Sequence, residues 1–183
     1  MNAGSRIPAW IVWLLAILSL AAFGWAVIGF VLPFQHETGR AMLDTYVAGY
    51  DDATVAAMQV LLNSNPVAHD MLRAMYLGPE LVLPALLAML LFTVILKLDT
   101  GNRYFGKAVR PALVKAVCAL PFVYCLADYG ENASSLIAFS DSPSAALAAS
   151  LLPWLTKLKF ASLAVTIIAI IRFVLIRIGP KDE

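Results

Sequence analysis

Five consecutive residues, Asp128-Tyr129-Gly130-Glu131-Asn132, place two carboxyl groups and an amide in an otherwise apolar stretch of the chain. On a helix, Asp128, Glu131 and Asn132 are spaced i, i+3 and i+4, so their side chains project to one side. Ionisable residues within a membrane span are costly, and they usually pair with one another or mark a functional site. This run therefore predicts a polar site whose carboxyl groups are suited to ligand binding or to acid/base chemistry.

Other polar residues reach the same depth if the apolar stretches around them are antiparallel helices. Measured at ~1.5 Å per residue from the basic residues that end each stretch, Glu80 lies about 25 Å deep, and Asp128 and Lys159 about 27 Å. Thr156 precedes Lys159 by three residues and shares its face. We therefore predict one polar cluster near the outer membrane boundary. Its members are Glu80, Asp128, Glu131, Asn132, Thr156 and Lys159.

This polar cluster has three interpretations. It is a ligand pocket, or an ion-pair cluster in which Lys159 neutralises Asp128 or Glu131, or a wet interface at the level of the headgroups. Polar contacts between membrane helices average only about 0.6 kcal/mol, so a structural role alone is a weak reason for so many of them. We favour the pocket, because Pro84 removes a helical donor four residues after Glu80 and predicts a kink that opens space beside it.

The composition is typical of an integral membrane protein. Of the 183 residues, 61% are hydrophobic and 14% are charged, against about 45–50% and about 25% in soluble domains. Four apolar stretches, residues 9–33, 72–98, 111–139 and 145–178, are each long enough to cross a ~30 Å hydrocarbon core. The sequence thus predicts one all-α domain over residues 1–183, a bundle of four transmembrane helices.

Residues 34–71 form a long predicted outer loop. Asp51 or Asp52 is placed to cap a short amphipathic helix over residues 53–62, which lies either over the mouth of the bundle or on lipid headgroups. Acidic residues predominate in this loop, and basic residues predominate in the other connections. The positive-inside rule therefore predicts that both termini lie in the cytoplasm. The basic residues are Arg6, Lys97, Arg103, Lys107, Arg110, Arg172, Arg177 and Lys181.

Several classes of function have no support in the sequence. A net charge of +1 gives no basis for nucleic-acid binding. Cys118 and Cys125 fall on one predicted helix, roughly 10 Å apart along its axis, which is too far for a disulfide. No set of cysteines and histidines has metal-ligand spacing, and no nucleotide or hydrolase motif is present, so we expect no metal and no cofactor.

Three segments carry a resemblance to known groups: Gly78-Pro79-Glu80-Leu81-Val82-Leu83-Pro84, Asp128-Tyr129-Gly130-Glu131-Asn132 and Leu155-Thr156-Lys157-Leu158-Lys159-Phe160. Through them the chain resembles a family of small bacterial four-span membrane proteins of unknown function, in which the acid before the proline is usually Asp. This resemblance implies that the protein lies in the bacterial inner membrane. A fainter similarity, in topology, is to the EXPERA group of the sterol isomerase emopamil-binding protein. That resemblance implies an intramembrane cavity for sterol-like and cationic amphiphiles, although the third span departs from its pattern.

Three functions are compatible with these features. The first is a non-enzymatic protein that binds a lipid- or isoprenoid-type ligand in the bilayer, or that serves as an accessory subunit of a larger membrane complex. The second is an intramembrane enzyme that acts on a lipid through its carboxyl groups. The third is a proton- or ion-coupled transporter, which is the least supported because the inner half of the bundle offers only Thr93 and Lys115. We favour the first function.

Overall fold

The computed structural model describes residues 7–98, 103–104, 107–108 and 111–178. These residues are helical apart from short connections and one pair of strands, each two residues long. The elements are α1 (Ala9–Ala26), a π-helical turn (Val27–Val31), α2 (Leu32–Thr38), a 3₁₀ turn (Leu43–Thr45), α3 (Asp52–Ser64), α4 (Pro66–Leu77), α5 (Pro79–Leu98), β1 (Arg103–Tyr104), β2 (Lys107–Ala108), α6 (Pro111–Ala138) and α7 (Ala145–Ile178). Of the basic residues used to predict orientation, Arg6, Arg110 and Lys181 lie outside the described residues.

Within the described part of the chain, three helical stretches are long and apolar enough to cross a membrane: Ala9–Thr38, Pro66–Leu98 and Ala145–Leu175. At most 28% of the most apolar part of each stretch is buried within the protein. Large apolar side chains therefore cover their outer faces, which suits contact with lipid. The chain is accordingly a helical membrane protein. The span predicted over residues 111–139 is present as the 28-residue helix α6, but it is not among these three, and a count of four spans stays a prediction.

The first long helix contains a wider π-helical turn just before Pro33. The N–H of Leu32 bonds to the carbonyl of Val27, five residues back. Pro33 follows at the start of α2, where the ring of a proline crowds the carbonyl four residues earlier and no N–H can meet it. Gly39, at φ 68°, then ends the helix in the left-handed conformation that glycine adopts without strain.

The long helices pack side by side in the order α1, α5, α6 and α7, and the most extensive contact is between α6 and α7. The largest buried apolar core lies at one end of this arrangement, where α3, α4 and the residues before them pack against the adjoining ends of α6 and α7. Phe34, Met42, Leu43 and Leu152 are fully buried there. This core fixes the chain that precedes α3 against the end of the bundle.

The helix predicted over residues 53–62 is present as α3. Asp51 caps it by accepting hydrogen bonds from the Thr54 hydroxyl over 2.6 Å and from the Thr54 N–H over 2.9 Å. The bond from the hydroxyl, followed by the bond from the N–H, lowers the pKa of the Asp51 carboxyl. Val55, Met58 and Leu62 are buried along one side, and α3 contacts α4 and α7. The helix therefore packs on protein, whereas its position outside the bilayer remains a prediction.

Candidate functional site

Lys159 on α7 lies at the centre of the polar cluster. Its Nζ atom is 2.6 Å from Glu131 Oε2 and 3.0 Å from Asp128 Oδ1, both on α6. A third carboxyl oxygen, Asp44 Oδ1, lies 3.5 Å away and comes from the 3₁₀ turn. The most exposed of these four side chains is only 11% accessible. One ammonium group thus faces three carboxyl groups inside the protein.

Glu131 is fully buried and also binds two hydroxyl groups through Oε1. The Thr156 hydroxyl donates to this oxygen, and the Tyr50 hydroxyl lies 3.2 Å from it. Burial raises the pKa of the Tyr50 phenol, and the neighbouring Glu131 carboxyl raises it further. Tyr50 therefore keeps its proton at neutral pH and acts as a donor. Both oxygens of Glu131 are engaged, one by Lys159 and the other by these hydroxyls.

Asp128 is held in the same way from two sides. Lys159 binds Oδ1, and the Tyr124 hydroxyl donates to Oδ2 over 3.0 Å. Tyr124 precedes Asp128 by one helical turn on α6, so the two side chains share a face. Both carboxyl oxygens are therefore matched by donors from within the bundle.

Pro84 accounts for the contact that Asn132 makes with α5. A proline has no N–H, so the carbonyl of Glu80 lacks its normal helical donor. The Asn132 side-chain N–H₂ donates to that carbonyl over 3.4 Å. The Tyr129 hydroxyl adds a second hydrogen bond between α6 and α5, to the Leu81 carbonyl over 2.7 Å. The two bonds tie α5 to α6 beside Glu80.

Gly78 sets the position of Glu80. It joins α4 to α5 at φ −114° and ψ −107°, and a Cβ atom there would lie 2.8 Å from the Ala74 carbonyl oxygen. A side chain larger than hydrogen therefore requires the joint to move. Glu80 follows in the first turn of α5 and is only 9% exposed. Its carboxyl group interacts electrostatically with Asp128 and Lys159.

Gly130 allows α6 and α7 to approach closely. A Cβ atom at this position would lie 3.2 Å from a methyl carbon of Leu155. Gly130 has no Cβ atom and so avoids this tight contact. Every residue of the run from Asp128 to Asn132 therefore has an identified contact on a neighbouring helix.

The structure places all of the predicted site residues in one buried layer between α5, α6 and α7. These residues are Glu80, Asp128, Glu131, Asn132, Thr156 and Lys159. Whether they bind a ligand is a separate question, because interhelical proximity is also what a structural cluster requires.

Sequence reasoning missed three members of the layer. Asp44 and Tyr50 belong to residues 39–51, here called the cover segment, which has no periodic pattern to place it. A signal was available in Met42 and Leu43, an apolar pair in a polar loop, and both are fully buried next to Asp44. Tyr124 could have been found from its spacing to Asp128 on α6.

The layer contains more acid than base. Asp44, Glu80, Asp128 and Glu131 provide four carboxyl groups near the single ammonium group of Lys159. Two buried acceptors, Asp44 Oδ2 and the side-chain oxygen of Asn132, have no hydrogen-bond donor among the described residues. Among the residues that the structure describes, no group of three or more His, Cys, Asp or Glu is arranged to hold a metal ion. Protons or a donor-rich ligand group can balance this excess of acceptors.

In comparisons with protein-family models, with curated proteins and with solved structures, nothing matches this chain. The two resemblances described above therefore stay predictions. Any conclusion about function has to come from the geometry of the buried layer and from the surfaces around it.

Proposed function

We propose that this protein is a four-span protein of the bacterial inner membrane that binds the polar head of a lipid- or isoprenoid-type ligand in the layer around Lys159. In this proposal both termini face the cytoplasm, and the layer lies near the outer leaflet. The lipid bilayer surrounds the apolar faces of the spans, and the ligand's apolar tail remains among them.

The surplus of carboxyl groups around Lys159 carries the proposal. A structural ion pair needs one carboxylate for one ammonium, and each further buried carboxylate adds a desolvation penalty. A ligand head with hydroxyl or ammonium groups would offset that penalty by donating hydrogen bonds. The oxygens of Asp44 and Asn132 that lack donors are suitable partners for such a head group.

The cover segment closes one side of the proposed site, where Met42 and Leu43 hold it in the apolar core. It contributes Asp44 and Tyr50 to the layer, yet its only regular structure is the 3₁₀ turn Leu43–Thr45. Its contacts with Lys159 and Glu131 are longer than the 2.6 Å contact between those two residues. Displacement of this segment would expose the carboxyl groups without separating α6 from α7.

Mass spectrometry of the protein purified in mild detergent tests the proposal. We expect one lipid-type molecule per chain in the wild-type protein, retention in the variant Asp70→Asn and loss in Asp44→Asn. Asp70 is the matched control, since it is an exposed acid on α4. Thermal melts should show that both variants fold. A folded wild-type protein without such a molecule, or an Asp44→Asn variant that retains it, would refute ligand binding.

The same experiment addresses the alternatives. A stoichiometric protein in place of a lipid would favour an accessory subunit of a membrane complex. The excess of carboxyl groups also favours a second candidate, an intramembrane enzyme in which Glu80 or Asp128 passes a proton to or from a lipid. Chemical change of the bound molecule during incubation, abolished in Glu80→Gln while binding persists, would establish that activity.

Transport of a proton or ion has less support. Three buried hydroxyls, of Thr93, Ser162 and Thr166, extend from the layer towards the other end of the bundle. Each donates to a carbonyl of its own helix. These hydroxyls are therefore satisfied locally and do not form a chain of mutual hydrogen bonds.

A further inference from the structure

A separate pocket lies between α4 and the C-terminal end of α6. Its volume is about 250 Å³, somewhat below the ~300–1,000 Å³ of typical small-molecule sites. The pocket can therefore hold the head group of a lipid but not the whole molecule. Four of its lining residues are apolar, namely Leu72, Leu77, Leu136 and Phe139. None of the six predicted site residues is among the described residues that line it, so this pocket is independent of the function proposed above.

Two basic residues stand one helical turn apart along one wall of the pocket. His69 and Arg73 are spaced i, i+4 on α4, and both line it. The His69 Nε2 atom donates to the Phe139 carbonyl over 3.0 Å, which joins α4 to the end of α6. Arg73 is exposed, and its guanidinium group can bind a phosphate through two parallel hydrogen bonds. Among the described lining residues, none is acidic.

Ser135 lies on the opposite wall, on α6. It is fully buried, and its hydroxyl interacts with the buried hydroxyl of Tyr76 on α4. Because no surface of Ser135 is accessible even to water, its hydroxyl does not reach a ligand in the pocket. Ser135 therefore closes one wall, and Arg73 is the charged group at the open side.

We propose that this pocket binds the anionic phosphate head of a membrane lipid. Arg73 pairs with the phosphate at the open side of the pocket. The four leucine and phenylalanine side chains contact the beginning of the acyl chains. A lipid fits better than free phosphate, because half of the lining is apolar and α4 belongs to a stretch that is apolar enough to cross the membrane.

Lipid retention by the full chain tests the proposal. The protein is reconstituted in nanodiscs of phosphatidylcholine with a minor share of phosphatidylglycerol, extracted into mild detergent and weighed by native mass spectrometry. We expect selective retention of one phosphatidylglycerol. Arg73→Gln should weaken it by about tenfold or more, the effect of losing one charge-assisted hydrogen bond. The control Arg40→Gln removes another exposed arginine, outside the pocket, and should change retention by less than about twofold.

A further arm identifies the ligand. Inorganic phosphate should compete poorly with the lipid, because it makes no contact with the apolar half of the lining. Equal losses in Arg40→Gln and Arg73→Gln, equal retention of phosphatidylcholine, or effective competition by inorganic phosphate would each overturn the proposal.

Discussion

The contacts of Lys159 decide how single substitutions in the buried layer behave. Because Glu131, Asp128 and Asp44 all lie within 3.5 Å of its Nζ atom, removing one carboxyl group leaves the ammonium group still paired. Removing the ammonium group leaves every carboxyl group without its cation. The consequences of losing the base and of losing one acid are therefore unequal.

We expect Lys159→Met to destabilise the protein by about 3–5 kcal/mol, the cost of leaving buried charges uncompensated. Asp128→Asn should cost less. The matched control is Lys157→Met two residues earlier, where the exposed lysine stands 5.1 Å above the Trp154 ring and contributes at most about 1 kcal/mol. Thermal or denaturant melts in mild detergent measure all three variants. Equal melts for Lys157→Met and Lys159→Met would show that the layer is solvated and unimportant for stability.

Residue spacing was enough to predict most of the layer. The i, i+3 and i+4 positions of Asp128, Glu131 and Asn132, together with matched depths, placed them opposite Glu80 and Lys159. Asp44 and Tyr50 could not be placed in the same way, because an irregular segment has no period that relates sequence distance to position. Their location depends on the burial of Met42 and Leu43 beside them.

At the scale of elements, a hydrogen bond between α5 and α6 replaces the helical bond that Pro84 cannot form. Pro84 leaves the Glu80 carbonyl without a helical donor, and Asn132 on α6 supplies one. Pro84 alone predicted a free carbonyl beside Glu80. Which helix would satisfy it depends on how α5 and α6 pack, and sequence spacing does not contain that information.

A double-mutant cycle tests this coupling. We expect Asn132→Leu to cost about 1–3 kcal/mol in the wild-type background, because it leaves a buried carbonyl without a donor. In a Pro84→Ala background the N–H of residue 84 can bond to that carbonyl, so the same substitution should cost markedly less. Denaturant melts of the four proteins give the coupling free energy. Additive effects would mean that Asn132 does not replace the missing donor.

The cap of α3 predicts a dependence of stability on pH. Hydrogen bonds from Thr54 lower the pKa of Asp51 in the folded protein. A carboxyl whose folded pKa is depressed stabilises the protein above its unfolded pKa of about 3.9, and this contribution is lost as the pH falls through the folded value. Asp51→Asn keeps a capping side chain without a charge.

We therefore expect the difference in melting temperature between wild type and Asp51→Asn to shrink as the pH is lowered from about 6 to about 3. Asp52→Asn, which removes the neighbouring exposed acid, is the control and serves to measure the effect of net charge alone. If the two variants show the same pH profile, the Asp51 cap is not responsible.

The whole molecule combines long helices that expose apolar side chains with one buried polar layer around Lys159. Composition alone indicated a membrane protein, since apolar stretches of this length have few other uses. The number of membrane spans is harder to predict, because the polar run from Asp128 to Asn132 lowers the hydropathy of α6. Orientation depends on basic residues in the connections, several of which lie beyond the described part of the chain.

Cysteine accessibility tests the predicted topology. After replacement of Cys118 and Cys125 by alanine, a single cysteine at Arg40 should react with an impermeant maleimide applied to spheroplasts. A single cysteine at Asn102 should react only after the membrane is opened, because the positive-inside rule places that connection in the cytoplasm. Labelling of the Asn102 position in sealed spheroplasts would reverse the orientation.

The positions of the charges along the chain also bear on biosynthesis. The ribosome delivers Asp128 and Glu131 in α6 before it has made Lys159 in α7, so α6 reaches the translocon without its counter-ion. An acid at the centre of an inserting helix costs about 2.5–3.5 kcal/mol on translocon scales, and the two acids of α6, nearer its outer end, each cost less but act together. We expect a glycosylation-tagged α6 to insert poorly alone and efficiently when α7 follows it. Replacing Lys159 with methionine in the longer segment should abolish that gain, so assembly of the buried layer would begin during translation.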